Sequence, residues 1–144
     1  MRLSEIIPGL VLATLLDGKI KVQTSATKSH VVKAYAMNEM PTTGLGDEFM
    51  VVQANGRPDP KTTRRELWNG NLALAVYCKS NADGTIKPNH NASLIAQIEE
   101  IIGENGIRSG DFFFRLDENN PITPPTPNLT TGYYTTILNV WWRN

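Results

Sequence analysis

Residues 132–143, near the end of the chain, limit the folds open to this sequence more than any other segment. They read Gly-Tyr-Tyr-Thr-Thr-Ile-Leu-Asn-Val-Trp-Trp-Arg, and such β-branched and aromatic residues favour a long strand inside a sheet. Successive side chains of a strand point to opposite faces, so Trp141 and Trp142 cannot both be buried on the same side. We therefore predict that Trp142 faces the core and that Trp141 lies on the opposite face.

The two rows of side chains on this strand differ in apolar content. The more apolar row, which we expect to pack against helices, consists of Tyr134, Leu138, Val140 and Trp142. The other row, Tyr133, Ile137 and Trp141, would be exposed in a monomer. Aromatic rows on an open sheet face are typical of protein contacts, so these three are predicted protein-interface residues. The alternative is that a loop of the same chain folds over them.

Two helices are expected. The clearer one lies between Asn91, placed as its cap, and Gly103, placed as its stop. Its apolar residues follow helical spacing: Leu94, Ile95, Ile98, Ile101 and Ile102. A shorter helix is predicted near the N-terminus, ending at Asp17-Gly18, with Pro8 interrupting any helix that begins at Ser4.

The remaining apolar segments read as strands separated by turns. Strand patterns occur at residues 20–22, 30–37, 47–53, 66–80, 111–116 and 132–143. In the long segment 66–80, the side chains on one face of the strand are apolar, and we expect those on the other face to be largely exposed. The prolines between Pro121 and Pro127 predict an irregular exposed loop. The fold class predicted is α+β: one domain, residues 1–144, with a mostly antiparallel sheet of about four to five strands and two helices packed on one face.

Charge and hydrophobicity exclude several classes of protein. Fourteen basic residues balance fourteen acidic ones, so nucleic-acid binding would need a local patch. Apolar residues make up 40% of the chain, and no run approaches the ~20 apolar residues of a membrane helix. We expect a folded, soluble protein with no membrane partner. Its single cysteine, Cys78, cannot form an internal disulfide, which indicates a reducing compartment.

No motif for catalysis, metal binding or a cofactor is present, and we predict none of these sites. His30 and His90 are the two imidazoles, and both fall at positions typical of a surface. Cys78 shares the apolar parity of its strand, which is typical of a small core residue and not of a reactive thiolate. The acidic pairs, such as Asp47-Glu48, are adjacent in sequence and isolated from histidine, which is typical of a solvated face.

One loop concentrates positive charge. Residues 57–65 contain Arg57, Lys61, Arg64 and Arg65. A solvated loop is the simpler interpretation, and contact with an acidic protein or phosphate is the functional one. Arg57, Arg64 and Arg65 therefore join the predicted interface residues.

Several segments, taken in order, carry a resemblance to a known family. They are an early helix, the strand 31–37 ending near Pro41, the segment Asp47-Glu48-Phe49-Met50-Val51-Val52, the segment 70–79, the amphipathic helix from Asn91 to Ile102 and the closing strand 132–142. In this arrangement the chain resembles the tail terminator, or tail-completion, proteins of tailed bacteriophages. The resemblance covers nearly the whole chain as an order of elements, without a diagnostic motif.

The resemblance implies a structural virion protein and not an enzyme. Such a protein forms a ring, for example a hexamer, that ends tail-tube growth and joins the tail to the head. Its partners would be further copies of itself, tail-tube proteins and head-connector proteins, with nucleic acid only passing through the ring. It would lie in the tail or neck of the virion after assembly in the host cytoplasm. A ring needs heterologous contacts, which the spare aromatic row and the long loops would supply.

Two other functions stay open. A small enzyme would use a cleft between sheet and loops, with acids such as Asp47 or Asp117 in unassigned roles. A nucleic-acid-binding accessory domain would use the basic loop, and its binding would depend on salt.

Overall fold

A computed structural model describes residues 3–23, 26–55, 59–60, 68–117, 122–128 and 131–144. The helices are α1 (Leu3–Leu16) and α2 (Pro88–Ile102), and a short 3₁₀ turn spans Met37–Glu39. The strands are β1 (Ile20–Gln23), β2 (Ser29–Ala36), β3 (Glu48–Ala54), β4 (Asp59–Pro60), β5 (Trp68–Lys79), β6 (Ile107–Ser109), β7 (Phe112–Leu116), β8 (Ile122–Asn128) and β9 (Tyr133–Arg143). Neither of these helices is long and apolar enough to cross a membrane.

The sheet contradicts the predicted fold class. The described strands form one mixed sheet, curled into a half-barrel, with the main order β1-β2-β3-β5-β9-β7-β6. The main path of the sheet thus has seven strands where four to five were predicted, and β2 and β3 run parallel. The prediction failed because the loop between Ala36 and Glu48 was expected to join strands of a mostly antiparallel sheet, whereas it returns the chain so that β3 runs parallel to β2. It also failed because strands as short as β6 leave almost no period-2 pattern.

The proline-rich segment is a second correction. Residues Ile122–Asn128 form β8, which pairs with β9, where a loop was predicted. The register shifts between Thr123 and Thr126, so Pro124 and Pro125 fall within a bulge. Prolines are tolerated at bulges and in edge strands because no ladder hydrogen bond is required of them there.

Both helices pack on the same face of the sheet, which carries the even-numbered residues of the central strands. In α1 the core residues include Leu12 and Leu16, and the helix continues through Pro8, where an interruption was predicted. The core residues of α2 are Leu94, Ile95, Ile98 and Ile102. The strands contribute Met50 and Val52 from β3, Leu72, Leu74, Val76 and Cys78 from β5, and Tyr134, Leu138, Val140 and Trp142 from β9.

Candidate functional site

The face of the sheet turned away from the helices is called the outer face here. It carries the odd-numbered residues of β3, β5, β7 and β9, because the even-numbered ones line the core. As predicted, Trp142 lies in the core and Trp141 on the opposite face. Tyr133 and Ile137 lie on the same face as Trp141, and all three are half-buried. Their role in an interface stays a prediction.

The centre of the outer face is apolar. Val51, Ala75 and Ile137 stand side by side on β3, β5 and β9, and Ala73 lies two residues from Ala75. Val51, Ala73 and Ala75 are buried, although that parity of β5 was expected to be largely exposed. The central strands therefore carry apolar side chains on both faces, and of these four outer-face residues only Ile137 keeps part of its side chain exposed.

An aromatic cluster closes one end of this apolar strip. Phe49 stacks on Tyr77 with ring centroids 4.7 Å apart, and the Tyr133 ring meets Phe49 edge-on at 5.4 Å. The Tyr133 hydroxyl donates a hydrogen bond of 2.9 Å to the Gly46 carbonyl oxygen. The polar tip of Tyr133 is therefore satisfied within the chain, and its ring belongs to a fixed aromatic surface.

The other end of the outer face is basic. The Arg115 guanidinium lies over the Trp141 ring at 4.5 Å, and that of Arg143 lies over Phe113 at 4.9 Å. Arg108 pairs with Phe113 across β6 and β7, so it shares this face. We call Arg108, Phe113, Arg115, Trp141 and Arg143 the arginine–aromatic patch. Of the other predicted interface residues, Arg57, Arg64 and Arg65 lie outside the described residues.

A second polar arrangement surrounds Glu48, the first residue of β3. Its side chain is only 2% exposed, because its even parity points it to the helix side of the sheet. His30 Nε2 lies 2.8 Å from Glu48 Oε2, and His90 Nδ1 lies 3.3 Å from Glu48 Oε1. The two imidazoles therefore satisfy a carboxylate that burial would otherwise destabilise.

This arrangement fixes the start of α2 against the sheet. His90 bonds to Glu48, and Asn91 Oδ1 accepts a hydrogen bond of 2.9 Å from Thr136 Oγ1. The Tyr134 hydroxyl donates to the Lys87 carbonyl oxygen at 2.9 Å. Asn91 is thus a tether and not the predicted cap, because the helix begins at Pro88. We call these contacts the α2 anchor.

The α2 anchor lacks an accessible nucleophile. Cys78 lies beside Glu48 in the sheet, and Tyr134 lies beside Cys78. Burial raises the pKa of the Cys78 thiol from 9.0 to about 11, and burial likewise raises the pKa of Tyr134 above its ordinary value. Protonated, enclosed groups of this kind suit a structural role. Among the described residues, no group of three or more His, Cys, Asp and Glu side chains is placed to hold a metal ion.

Cys78 should make stability depend on alkaline pH. The unfolded thiol ionises near pH 9, whereas the folded one keeps its proton to about pH 11. Between these pH values the unfolded state therefore binds fewer protons than the folded state. Ionisation of the thiol stabilises the unfolded state, so the free energy of unfolding falls as pH rises, by about 2–3 kcal/mol across the window. Urea denaturation at pH 8 to 11 should show this loss. The Cys78→Ala variant should show a smaller slope, and an unchanged slope would contradict the assignment.

Sequence reasoning missed the α2 anchor. Glu48 was grouped with Asp47 as a solvated acidic pair, although it shares the parity of Met50 and Val52 and so points to the core. That parity was the available signal. The partners of Glu48 could not be predicted from the sequence, because His30 and His90 are 18 and 42 residues away and only the strand order and helix position bring them together.

In comparisons with known proteins, no family model matches the chain, and no curated protein is similar to it.

Proposed function

We propose that the protein is a structural subunit of a ring at the end of a bacteriophage tail, where it stops tail-tube growth and joins the tail to the head. In this role it acts through surfaces in the virion tail or neck and turns over no substrate. Its partners are neighbouring copies of itself, the tail tube and the head connector.

The observation that carries this proposal is the outer face of the sheet. The half-buried Ile137 lies beside the buried Val51 and Ala75 in an apolar strip, bordered by the aromatic cluster that contains Tyr133. The residues of this face that stay partly exposed include Tyr133, Ile137 and Trp141, and apolar and aromatic side chains on a sheet face are typical of protein interfaces. A ring requires a heterologous contact, so in this proposal the outer face of one copy docks on a different surface of the next copy. Repeated around an axis, such a heterologous contact closes a ring.

The α2 anchor is consistent with a structural role. It uses the buried carboxylate and both histidines to hold a helix in place, and the nearby thiol is enclosed.

The test is assembly, measured for the wild type and for Ile137→Glu. Ile137 lies at the centre of the apolar strip and outside the core, so the variant should fold normally by circular dichroism. Wild-type protein should form closed rings in sedimentation and electron microscopy, or should cap tubes grown from the tail-tube protein of the same genome. Ile137→Glu should do neither, because it places an unpaired charge in the contact.

A wild-type chain that stays monomeric and leaves tube length unchanged would overturn the proposed function. Rings that form equally well with Ile137→Glu would overturn the use of the outer face.

A further inference from the structure

The outer face continues from the apolar strip onto β2, where its side chains are most open to solvent. Tyr35 pairs with Val51 of the strip. It shares its side of β2 with Val31 and Lys33, because the even-numbered residues from 32 to 36 line the core. Val31 is 48% exposed, and Met37, just beyond β2, is 52% exposed. The strip therefore ends in a margin where large apolar side chains reach water.

Positive charge accompanies these apolar side chains. Lys21 of β1 lies opposite Val31, and Lys33 follows Val31 by two residues on β2. Both lysines are exposed, and neither forms an ion pair among the residues that the structure describes. Asp17 is the acid beside them, and its Oδ1 accepts a hydrogen bond of 3.0 Å from Ala34 N. We call the following residues the lysine margin: Lys21, Val31, Lys33, Tyr35 and Met37.

The outward side of α2 has the opposite charge. Ala92, Ala96, Glu99 and Glu100 are all exposed, away from the residues with which this helix packs into the core. The helix contains no lysine or arginine, and neither glutamate forms an ion pair among the described residues. The two alanines thus form a low apolar surface, and two carboxylates without a cationic partner in the described chain stand at its end.

The position of the two glutamates is unfavourable in a single copy. The last turn of α2 has no basic residue, although the C-terminal end of a helix carries partial negative charge, which favours cations and disfavours carboxylates. Residues that break a local rule of stability are expected where a surface has a function. Cations supplied by a partner would stabilise both the carboxylates and the end of the helix.

We propose that the lysine margin of one copy docks on the outward side of α2 of the next copy. Its lysines pair with Glu99 and Glu100, and its apolar side chains pack on Ala92 and Ala96. This contact rests on the proposed function, because it names the second surface of the ring contact. The margin belongs to the outer face and α2 packs against the other face, so the two surfaces differ, as a heterologous contact requires.

Charge favours a second copy over other occupants of the margin. Opposite potentials on two surfaces steer their association and fix its register. A nucleic acid would pair with the lysines but would leave the acidic end of α2 without a partner. A second copy satisfies both surfaces in one contact, and each copy in a ring uses each surface once.

The experiment compares two charge-reversed chains, alone and mixed. One carries Lys21→Glu and Lys33→Glu, and the other carries Glu99→Lys and Glu100→Lys. All four side chains are exposed, so both chains should keep the wild-type circular dichroism. Alone, each chain places like charges at every contact and should need at least about tenfold more protein than wild type for half-assembly. Mixed in equal amounts, the two chains should assemble again, because each contact between them joins opposite charges.

Asp111→Lys is the matched control. Asp111 is exposed in the turn between β6 and β7, at the edge of the sheet opposite to β1, so its reversal should leave assembly unchanged in sedimentation and electron microscopy. The inference alone is overturned if wild type assembles but the reversed chains assemble as readily as Asp111→Lys, or if mixing them fails to restore assembly. A wild-type chain that neither forms rings nor caps tail tubes overturns the proposed function together with this contact.

Discussion

Replacing Trp142 with alanine should lower the free energy of unfolding by about 3–5 kcal/mol, whereas Trp141→Ala should lower it by about 1 kcal/mol. The two residues are adjacent and chemically identical, and they differ only in the face of β9 on which they lie. Trp142 is 2% exposed and belongs to the core. Trp141 is half-buried, and its contacts include the Arg115 guanidinium over its ring and an edge-on meeting with Phe113.

The Trp142 ring fills a space that no neighbouring residue can refill. Gly70 pairs with it on β5, and a Cβ built on Gly70 would lie 2.9 Å from Trp142 Nε1. The ring thus covers a glycine, and on its other side it meets Phe112 edge-on at 5.7 Å. Truncation leaves a cavity above a residue without a side chain, which adds a cavity cost to the lost transfer free energy.

Denaturation followed by far-ultraviolet circular dichroism measures both variants without relying on tryptophan emission. A loss of 3–5 kcal/mol is a large part of the stability of a domain of this size and should lower the melting temperature by about 10 °C or more. Equal losses in the two variants would contradict the assignment of faces on β9, and with it the outer face.

The face of each β9 side chain could be predicted because the strand period is two, and a run of eleven residues leaves only one choice once the apolar row is known. Helix α2 could be predicted for a similar reason, since Leu94, Ile98 and Ile102 repeat at helical spacing. Its start could not. Pro88 begins the helix because its missing N–H has no partner in a first turn, and this leaves Asn91 free to bond to Thr136.

The pairing of strands could not be predicted from the sequence. The parallel register of Ala34 with Met50 depends on where the chain goes between residues 37 and 47, and no local pattern encodes that path. The arginine–aromatic patch depends on the same kind of information. Arg108, Arg115 and Arg143 are separated in sequence, and they converge because β7 lies between β6 and β9.

Removing both imidazoles that bond to Glu48 should lower the free energy of unfolding by about 3 kcal/mol. In the double variant His30→Ala, His90→Ala, the carboxylate keeps its place on the core side of β3 but loses the hydrogen bonds of 2.8 and 3.3 Å that satisfy it. A buried charge left without partners costs more than the bonds themselves contributed. His30 and His90 are 43% and 30% exposed, so water entering their places keeps the loss toward the lower end of the range for buried pairs.

A third substitution separates this cause from simple loss of packing. Adding Glu48→Met to the double variant replaces the unpaired carboxylate with an apolar group of similar length, and the triple variant should be more stable than the double one. That reversal follows because replacing all partners of a buried polar network by apolar groups is far less costly than leaving one of them unsatisfied. If urea denaturation finds the triple variant no more stable than the double one, the histidines act by packing alone. In that case the start of α2 is held by Asn91 and Tyr134 without help from Glu48.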